Sequence, residues 1–231
     1  MQALDLYASI EEYLNFEEEV HELYKAIGHT VLSKEPKTLI DIGCGQGEFC
    51  YIMEHNGIKT FGVDLSAKQI EIAQSKGINT QCIDIKDIDT KYDCATAVFD
   101  VINYINEDYL STFLKDCYNV LNQGGHFIFD INSLYGFSEV AIGTLTIDNE
   151  DKFIAIDADF QDDKLYTNIT VFDKQDDLYK KQSGTIEQYY YTNEYLTTLL
   201  EKIGFEVEDK IECNLHVEEE ADKYIFVCKK L

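Results

Sequence analysis

Apolar residues recur at spacings of three and four over residues 4–32, with acidic residues between them, which predicts a helical N-terminal segment. Pro36, the only proline, separates this segment from the rest of the chain. Short apolar runs then alternate with amphipathic stretches over residues 37–131. This alternation predicts a parallel sheet with helices on both faces.

The alternating region contains five predicted strands and three predicted helices. The strands are Lys37–Ile42, Lys59–Val63, Asn79–Ile83, Asp93–Phe99 and His126–Ile131. The helices are Glu48–His55, Ala67–Lys76 and Glu107–Leu121. Ser66 is a typical N-cap of the second helix, and the fourth strand is unbroken and rich in Ala and Val, as strands buried on both faces tend to be.

The pattern changes near residue 144. Four alternating β-type segments, separated by polar turn clusters, predict an antiparallel meander: 144–148, 152–160, 164–173 and 183–191. A helix over Asn193–Ile203 and two strands over Glu206–Glu212 and Tyr224–Lys229 close the chain.

The predicted fold class is α/β, a Rossmann-like doubly wound sheet of seven mostly parallel strands with an inserted antiparallel β-meander. We expect four regions along the chain. They are an N-terminal helical lid (1–35), a ligand-binding core (36–143), the β insertion as a substrate cover (144–192) and the C-terminal part of the core (193–231).

Composition narrows the possible partners. The 231 residues are 45% hydrophobic, and 44 Asp and Glu against 19 Lys, with no arginine, give a formal net charge of −25. Such an acidic protein lacks the basic surface that nucleic acid requires. No apolar run approaches the roughly 18 residues of a membrane helix. We therefore expect a small-molecule substrate, no nucleic-acid or membrane partner, and a monomer or homodimer.

Seven cysteines occur in no CxxC spacing. An odd number of thiols, several inside apolar runs, favours reduced cysteines over disulfides or a zinc site, so we expect no metal and a cytoplasmic location. The N-terminus also lacks the basic start and apolar core of a signal peptide.

A glycine-rich loop, Asp41-Ile42-Gly43-Cys44-Gly45-Gln46-Gly47, follows the first strand and precedes a helix. Glycines there allow a tight turn and a close approach to a ligand. A dinucleotide-binding loop would have its third glycine at position 48, which is Glu48 here. The loop alone remains compatible with two kinds of cofactor.

Two further carboxylates end neighbouring strands. Asp64 follows the second strand, where a carboxylate can accept hydrogen bonds from ribose hydroxyls of either NAD or an adenosyl cofactor. Asp84 follows the third strand and can accept from an adenine amine, with Ile85 near the ring. Because ligands bind at the carboxyl ends of such strands, these acids and Asp41 form one candidate site.

These motifs resemble those of the class I S-adenosylmethionine-dependent methyltransferases over nearly the whole chain. The resemblance implies that Asp41, Gly43, Cys44 and Gly45 lie against the amino-acid part of the cofactor, Asp64 binds its ribose, and Leu65, Asp84, Ile85 and Phe99 surround its adenine and methyl donor. The segments Phe99–Tyr104 and Gly124–Asp130 match the motifs after the fourth strand and in the fifth strand. S-adenosylhomocysteine would be the product.

The insertion after the fifth strand is similar to that of small-molecule methyltransferases that include sugar N-methyltransferases. In those proteins the insertion and the N-terminal helix cover the substrate. The missing arginine departs from this subgroup and disfavours a nucleotide-bearing acceptor.

Four residues are candidates for contact with the acceptor. Tyr13 matches the subgroup's N-terminal tyrosine pattern, Tyr104 follows the fourth strand, and Asp130 and Asn132 follow the fifth. The leading hypothesis is methyl transfer to nitrogen or oxygen of a small molecule. A regulatory protein that binds the cofactor without catalysis, and an NAD-dependent oxidoreductase, are the alternatives.

Overall fold

A computed structural model describes residues 3–14, 16–176, 178–216 and 220–231. Residues 1, 2 and 15 of the predicted lid, residue 177 of a predicted turn and residues 217–219 lie outside the described residues. The larger sheet has seven strands: β1 (Thr38–Ile42), β2 (Lys59–Asp64), β3 (Thr80–Cys82), β4 (Tyr92–Ala97), β5 (Leu121–Asn132), β10 (Phe205–Cys213) and β11 (Lys223–Lys230).

The strand order is β10-β11-β5-β4-β1-β2-β3. The five strands from β5 to β3 are parallel, and β11 runs antiparallel to both β5 and β10. Because Lys223 pairs with Asn132, the start of β11 lies at the carboxyl edge of β5. The α/β fold class predicted from the sequence is confirmed.

Six helices accompany the strands in the described parts of the chain: α1 (Ala3–Ala8), α2 (Glu17–Ser33), α3 (Glu48–His55), α4 (Ala67–Ser75), α5 (Glu107–Asn119) and α6 (Asn193–Ile203). Side chains of α2 and α3, such as Leu23 and Phe49, pack with Leu39 of β1. Those of α5 and α6 pack with its neighbour Ile40, which points to the other face of the sheet. Two apolar layers therefore enclose the sheet, and none of the described helices has the length and apolar character needed to cross a bilayer.

The N-terminal segment is not the continuous helix that its periodicity predicts. Helix α1 ends at Ala8, a short 3₁₀ turn spans Glu11–Tyr13, and α2 begins at Glu17. The hydroxyl of Ser9 donates to the carbonyl of Leu6 at 2.7 Å, one of the local hydrogen bonds by which serine competes with helix continuation. The break lets α1 leave the axis of α2 and pack elsewhere.

Four further strands form a separate antiparallel sheet in the order β6-β7-β8-β9, with β6 (Gly143–Asp148), β7 (Lys152–Gln161), β8 (Lys164–Gln175) and β9 (Leu178–Tyr189). The last strand starts earlier than predicted and ends at Tyr189, before the predicted Tyr191. Helix α1 packs on this meander sheet, where Leu6 and Ile10 join Ile154 and Ile169 in one apolar cluster.

Candidate active site

The glycine loop joins β1 to α3 in a conformation that suits glycine. Gly43, Gly45 and Gly47 all have positive φ, and the amides of Gly43 and Cys44 donate to the carbonyl of Val63 at 2.8 and 3.0 Å. Apart from Gly45 itself and its two chain neighbours, no residue has a heavy atom within 4 Å of the position that a Cβ on Gly45 would take. The backbone here therefore presents open space to a ligand.

Asp64 stands at the end of β2 against this loop. One carboxylate oxygen accepts from the amide of Gly45 at 2.9 Å and the other from the amide of Ser66 at 2.7 Å. The next side chain, Leu65, is 74% exposed. Each oxygen of this carboxylate can still accept a further hydrogen bond, which suits the ribose hydroxyls of an adenosyl cofactor. The exposed apolar side chain of Leu65 suits the adenine.

Asp84 and Ile85 are placed differently from each other. The Asp84 carboxylate caps the turn that follows it, forms an ion pair with Lys86 at 3.0 Å and stays partly exposed. Ile85 is only 4% exposed and belongs to the core between the sheet and α5. Of the two apolar residues predicted near the adenine, Leu65 therefore has an exposed side chain that a ligand could contact, whereas Ile85 has almost no exposed surface.

Asp41, at the end of β1, is 2% exposed. One of its oxygens accepts from the hydroxyl of Thr96 at 2.7 Å, and the thiol of Cys50 lies 3.9 Å from the other. Burial raises the pKa of Asp41 to about 7, although the hydrogen bond from Thr96 opposes the rise. Cys44 is also buried, so it is the main chain of Cys44, rather than its thiol, that borders the loop.

The turn after β4 is strained. Phe99 and Asp100 have φ of 65° and 50°, a left-handed conformation that costs a non-glycine residue about 1–2 kcal/mol. Their amides both donate to the carboxylate of Asp130, at 2.7 and 3.1 Å. The ring of Phe99 meets that of Tyr24 edge to face, with centroids 5.2 Å apart. Asp130 of β5 therefore holds the turn that follows β4.

Asp130 is fully buried, so the structure places it beneath the predicted acceptor site rather than open to it. Besides the two amides, it contacts Lys223 of β11, whose Nζ lies 3.0 Å from its Oδ2. Lys223 also forms an ion pair with Asp100. Sequence reasoning missed Lys223, which stands alone at the start of an apolar strand.

The same turn is tied to the meander sheet. The side-chain amide of Gln188 on β9 donates to the carboxylate of Asp100 at 2.8 Å, and the side-chain amide of Asn103 donates to the carbonyl of Tyr189 at 2.8 Å. Asn103 also accepts from the backbone amide of Asn132 at 3.0 Å. The carboxyl ends of β4 and β5 and the end of β9 thus form one hydrogen-bonded unit.

Partly buried tyrosines line this region. Burial raises the pKa values of Tyr7, Tyr24 and Tyr104, and the carboxylate of Asp100 adds to the rise for Tyr7 and Tyr104. These phenols are therefore protonated at neutral pH and can donate hydrogen bonds. Tyr13 lies on the 3₁₀ turn, partly exposed, with Lys152 Nζ 5.1 Å from its ring centroid.

Helix α1 reaches the cofactor side as well as the meander sheet. The hydroxyl of Ser66, two residues after Asp64, donates to Asp5 at 2.9 Å. This contact lays the N-terminal segment across the loop after β2.

A cavity of about 800 Å³ opens at the carboxyl edge of β5. It lies between the segment after β5, the start of α6 and the facing ends of β10 and β11. Its lining includes Asn132, Tyr135, Tyr190, Tyr224, Glu139 and Glu212. Of the four predicted acceptor contacts, Asn132 is the one that borders this cavity.

Comparison with known proteins agrees with this geometry. The profile of a methyltransferase domain family matches residues 16–210. YqeM of Bacillus subtilis (strain 168) is 26% identical over 186 residues, 75% of either chain. The crystal structure of an S-adenosylmethionine-dependent methyltransferase from Clostridium acetobutylicum ATCC 824 is 26% identical, with a TM-score of 0.79, and the match covers 98% of this chain and 97% of that one.

A more distant structure shares the fold. It is the sugar N-methyltransferase KedS8 from Streptoalloteichus sp ATCC 53650, with 16% identity, a TM-score of 0.73 and coverage of 98% of this chain and 92% of that one. The glycine loop, the strand-end acids and these matches agree. The chain therefore belongs to the S-adenosylmethionine-dependent methyltransferases, as the resemblance in its motifs predicted.

Proposed function

We propose that this methyltransferase transfers a methyl group to a nitrogen or oxygen atom of a small molecule that binds at the carboxyl edge of β5. The observation that carries the proposal is the cavity beside Asn132, which is large enough for a small metabolite. It lies on the β5 side of the sheet, whereas Asp64 and the glycine loop occupy the β1 and β2 side.

The bound cofactor supplies a methyl group that is already activated, so the protein contributes chiefly proximity and alignment. Asp64 and the loop hold the donor side. On the acceptor side, Asn132 and nearby tyrosines such as Tyr190 offer amide and hydroxyl groups to an amine or hydroxyl. The raised pKa of Tyr190, caused by partial burial, keeps its hydroxyl protonated and available as a donor.

The charge of the cavity favours an uncharged or cationic acceptor. Four glutamates line it (Glu139, Glu194, Glu212 and Glu220), and its described lining contains no lysine. An anionic acceptor such as a nucleotide would be repelled. Tyrosine rings add electron-rich faces that suit a cation. Because KedS8 is a sugar N-methyltransferase, amino sugars are the first acceptors to test.

Calorimetry with S-adenosylhomocysteine tests the donor side. We expect Asp64→Ala to weaken binding about tenfold or more, since it removes a charged hydrogen-bond acceptor. Asp89→Ala, at an exposed position, serves as the matched control and should bind as the wild type does. Equal binding by the wild type and Asp64→Ala would contradict the assignment of Asp64.

The acceptor is sought with methyl-labelled S-adenosylmethionine and a panel of amino sugars, other amines and phenols, followed by mass spectrometry for a methyl gain. Transfer should require the polar side chain of Asn132, so Asn132→Leu should lower turnover while S-adenosylhomocysteine binding persists. A protein that binds the cofactor yet methylates no component of the panel or of cell extracts would favour the regulatory alternative.

A further inference from the structure

Lys223 is an unusual cation for its surroundings. It begins β11, is 8% exposed, and sits between the carboxylates of Asp100 and Asp130. Lysine is almost never buried to this degree without a partner. Both of its partners belong to the turn and strand that border the predicted methyl-donor position.

This lysine is the cation that both carboxylates contact. Burial raises the pKa of Asp130, and the charge of Lys223 opposes that rise. An ionised Asp130 can accept from the amides of Phe99 and Asp100 at once, which holds both residues in their left-handed conformation. Without the cation, burial would favour the protonated form of Asp130 more strongly.

The same charge also reaches the meander sheet. One oxygen of Asp100 pairs with Lys223, and the other accepts from Gln188 of β9 at 2.8 Å. Lys223 therefore connects three segments that are remote in sequence: the turn after β4, the end of β5 and, through Asp100, the meander sheet.

We propose that Lys223 is a positioning residue for methyl transfer, acting through Asp130 and Asp100 to fix the Phe99–Asp100 turn and to hold the meander sheet over it. The proposal rests on the proposed function in so far as this turn borders the donor site. Small displacements of an aligning group cost large factors in rate, so a fixed turn is what an in-line transfer requires.

The test compares Lys223→Met with Lys230→Met. Lys230 lies on the same strand and donates to two backbone carbonyls, of Tyr118 and Leu121, at 2.8 and 3.0 Å. It therefore controls for the loss of a hydrogen-bonded lysine elsewhere on β11. We expect Lys223→Met to weaken S-adenosylhomocysteine binding about tenfold in calorimetry, and Lys230→Met to leave it unchanged.

Hydrogen exchange gives a second readout. Amides of residues 98–102 and 184–190 should exchange faster in Lys223→Met than in Lys230→Met, when both are compared at equal distance below their melting temperatures. Lys223→Arg keeps the cation and should restore most of the affinity and protection. If Lys223→Met does not fold, Asp100→Asn takes its place in the test. That change weakens the ion pair between Asp100 and Lys223 with little change in the shape of the side chain.

Wild-type affinity and wild-type exchange in Lys223→Met, or in Asp100→Asn, would overturn the proposal. A purely structural role would lower the melting temperature of both lysine variants and leave ligand affinity alike in both, which would also overturn it. If the wild type itself did not bind S-adenosylhomocysteine, the donor-site assignment would fail. The exchange experiment would still decide whether Lys223 holds the turn and the meander sheet.

Discussion

The buried carboxyl of Asp41 makes stability depend on pH in a defined direction. Its pKa rises from the ordinary 3.8 to about 7 in the folded protein because burial disfavours the charged form. Between these two values the unfolded chain has lost the proton that the folded protein retains. Stability is therefore full below the unfolded pKa and is lost as the pH rises towards 7.

The magnitude follows from the size of the shift. Each pKa unit corresponds to about 1.4 kcal/mol, so the stretch from pH 5.5 to pH 7 accounts for about 2 kcal/mol. This range stays above the sequence pI of about 4.3, where the protein would have little net charge to keep it soluble. Because Asp41 is 2% exposed, solvent screening does not reduce the effect much.

Asp41→Asn removes the titration and keeps an oxygen that can accept from Thr96. Relative to the wild type, we expect its free energy of unfolding, from urea titrations, to rise by about 2 kcal/mol between pH 5.5 and pH 8. Asp93→Asn is the matched control. Partial burial acts to raise the pKa of Asp93, but hydrogen bonds from Asn122, Thr38 and Lys37 together outweigh it and lower the pKa, so Asp93 is ionised throughout this range in both states. Its loss of stability should not depend on pH.

A difference between wild type and Asp41→Asn that stays constant from pH 5.5 to pH 8 would refute the reasoning. It would mean that the carboxyl is already ionised in the folded protein at the lower pH. The hydrogen bond from Thr96 would then outweigh burial, contrary to the order of effects inferred from the structure.

Two further predictions concern packing and polar contacts. Gly47→Ala should destabilise the protein by about 2–4 kcal/mol, because its Cβ would lie 2.8 Å from Ile78 at a positive φ; Gly57→Ala, at a positive φ in open space, should cost only about 1 kcal/mol in thermal unfolding. If Gly47→Ala lost no more stability than Gly57→Ala, the steric overlap with Ile78 would be ruled out. Tyr191→Phe should cost about 1 kcal/mol, because its buried hydroxyl donates to a main-chain carbonyl at 2.5 Å, whereas Tyr195→Phe, with a long exposed contact, should be nearly neutral in urea unfolding. Equal effects of the two tyrosine changes would contradict this difference.

The sheet and its helices are predictable because their patterns are local. The strand Thr38–Ile42, the glycine loop and the helix from Glu48 follow one another within twenty residues, and each shows its own periodicity and boundary residues. The carboxyl ends of parallel strands must then meet at one edge, so the strand pattern alone predicts that Asp41 and Asp64 lie close together.

The break between α1 and α2 is not predictable in the same way. Apolar residues continue at helical spacing through Ile10 and Leu14, yet these two buried residues flank a 3₁₀ turn rather than lie in one continuous helix. Tertiary contacts determine where the helix ends, because Leu6 and Ile10 pack into the apolar core under the meander sheet. Periodicity records that a face is buried, and it does not record which partner buries it.

The triad of Asp100, Asp130 and Lys223 is hidden in the sequence for a similar reason. The lysine stands 123 residues from one partner and 93 from the other, so no local spacing relates them. Asp130 stands out in the sequence only as a strand-end acid, which predicts contact with the acceptor. Its two backbone partners depend on the left-handed turn, and the dipeptide Phe99-Asp100, without a glycine, carries no sign of that turn.

The charges at the carboxyl edge bear on the ligand that this protein holds. Four carboxylates lie at this edge of the sheet: Asp41, Asp64 and Asp130 near the ends of their strands, and Asp100 in the turn after β4. Among the described residues, Lys223 is the cation that forms ion pairs with two of them, Asp100 and Asp130. A buried carboxylate is costly unless a positive charge or several donors accompany it. Asp41 shows that cost in its raised pKa, in a site where no lysine contacts it among the described residues. S-adenosylmethionine carries a sulfonium and an amino group, so binding it adds positive charge where the chain itself has little. The acid excess that disfavours nucleic acid as a partner therefore suits the cofactor of this family.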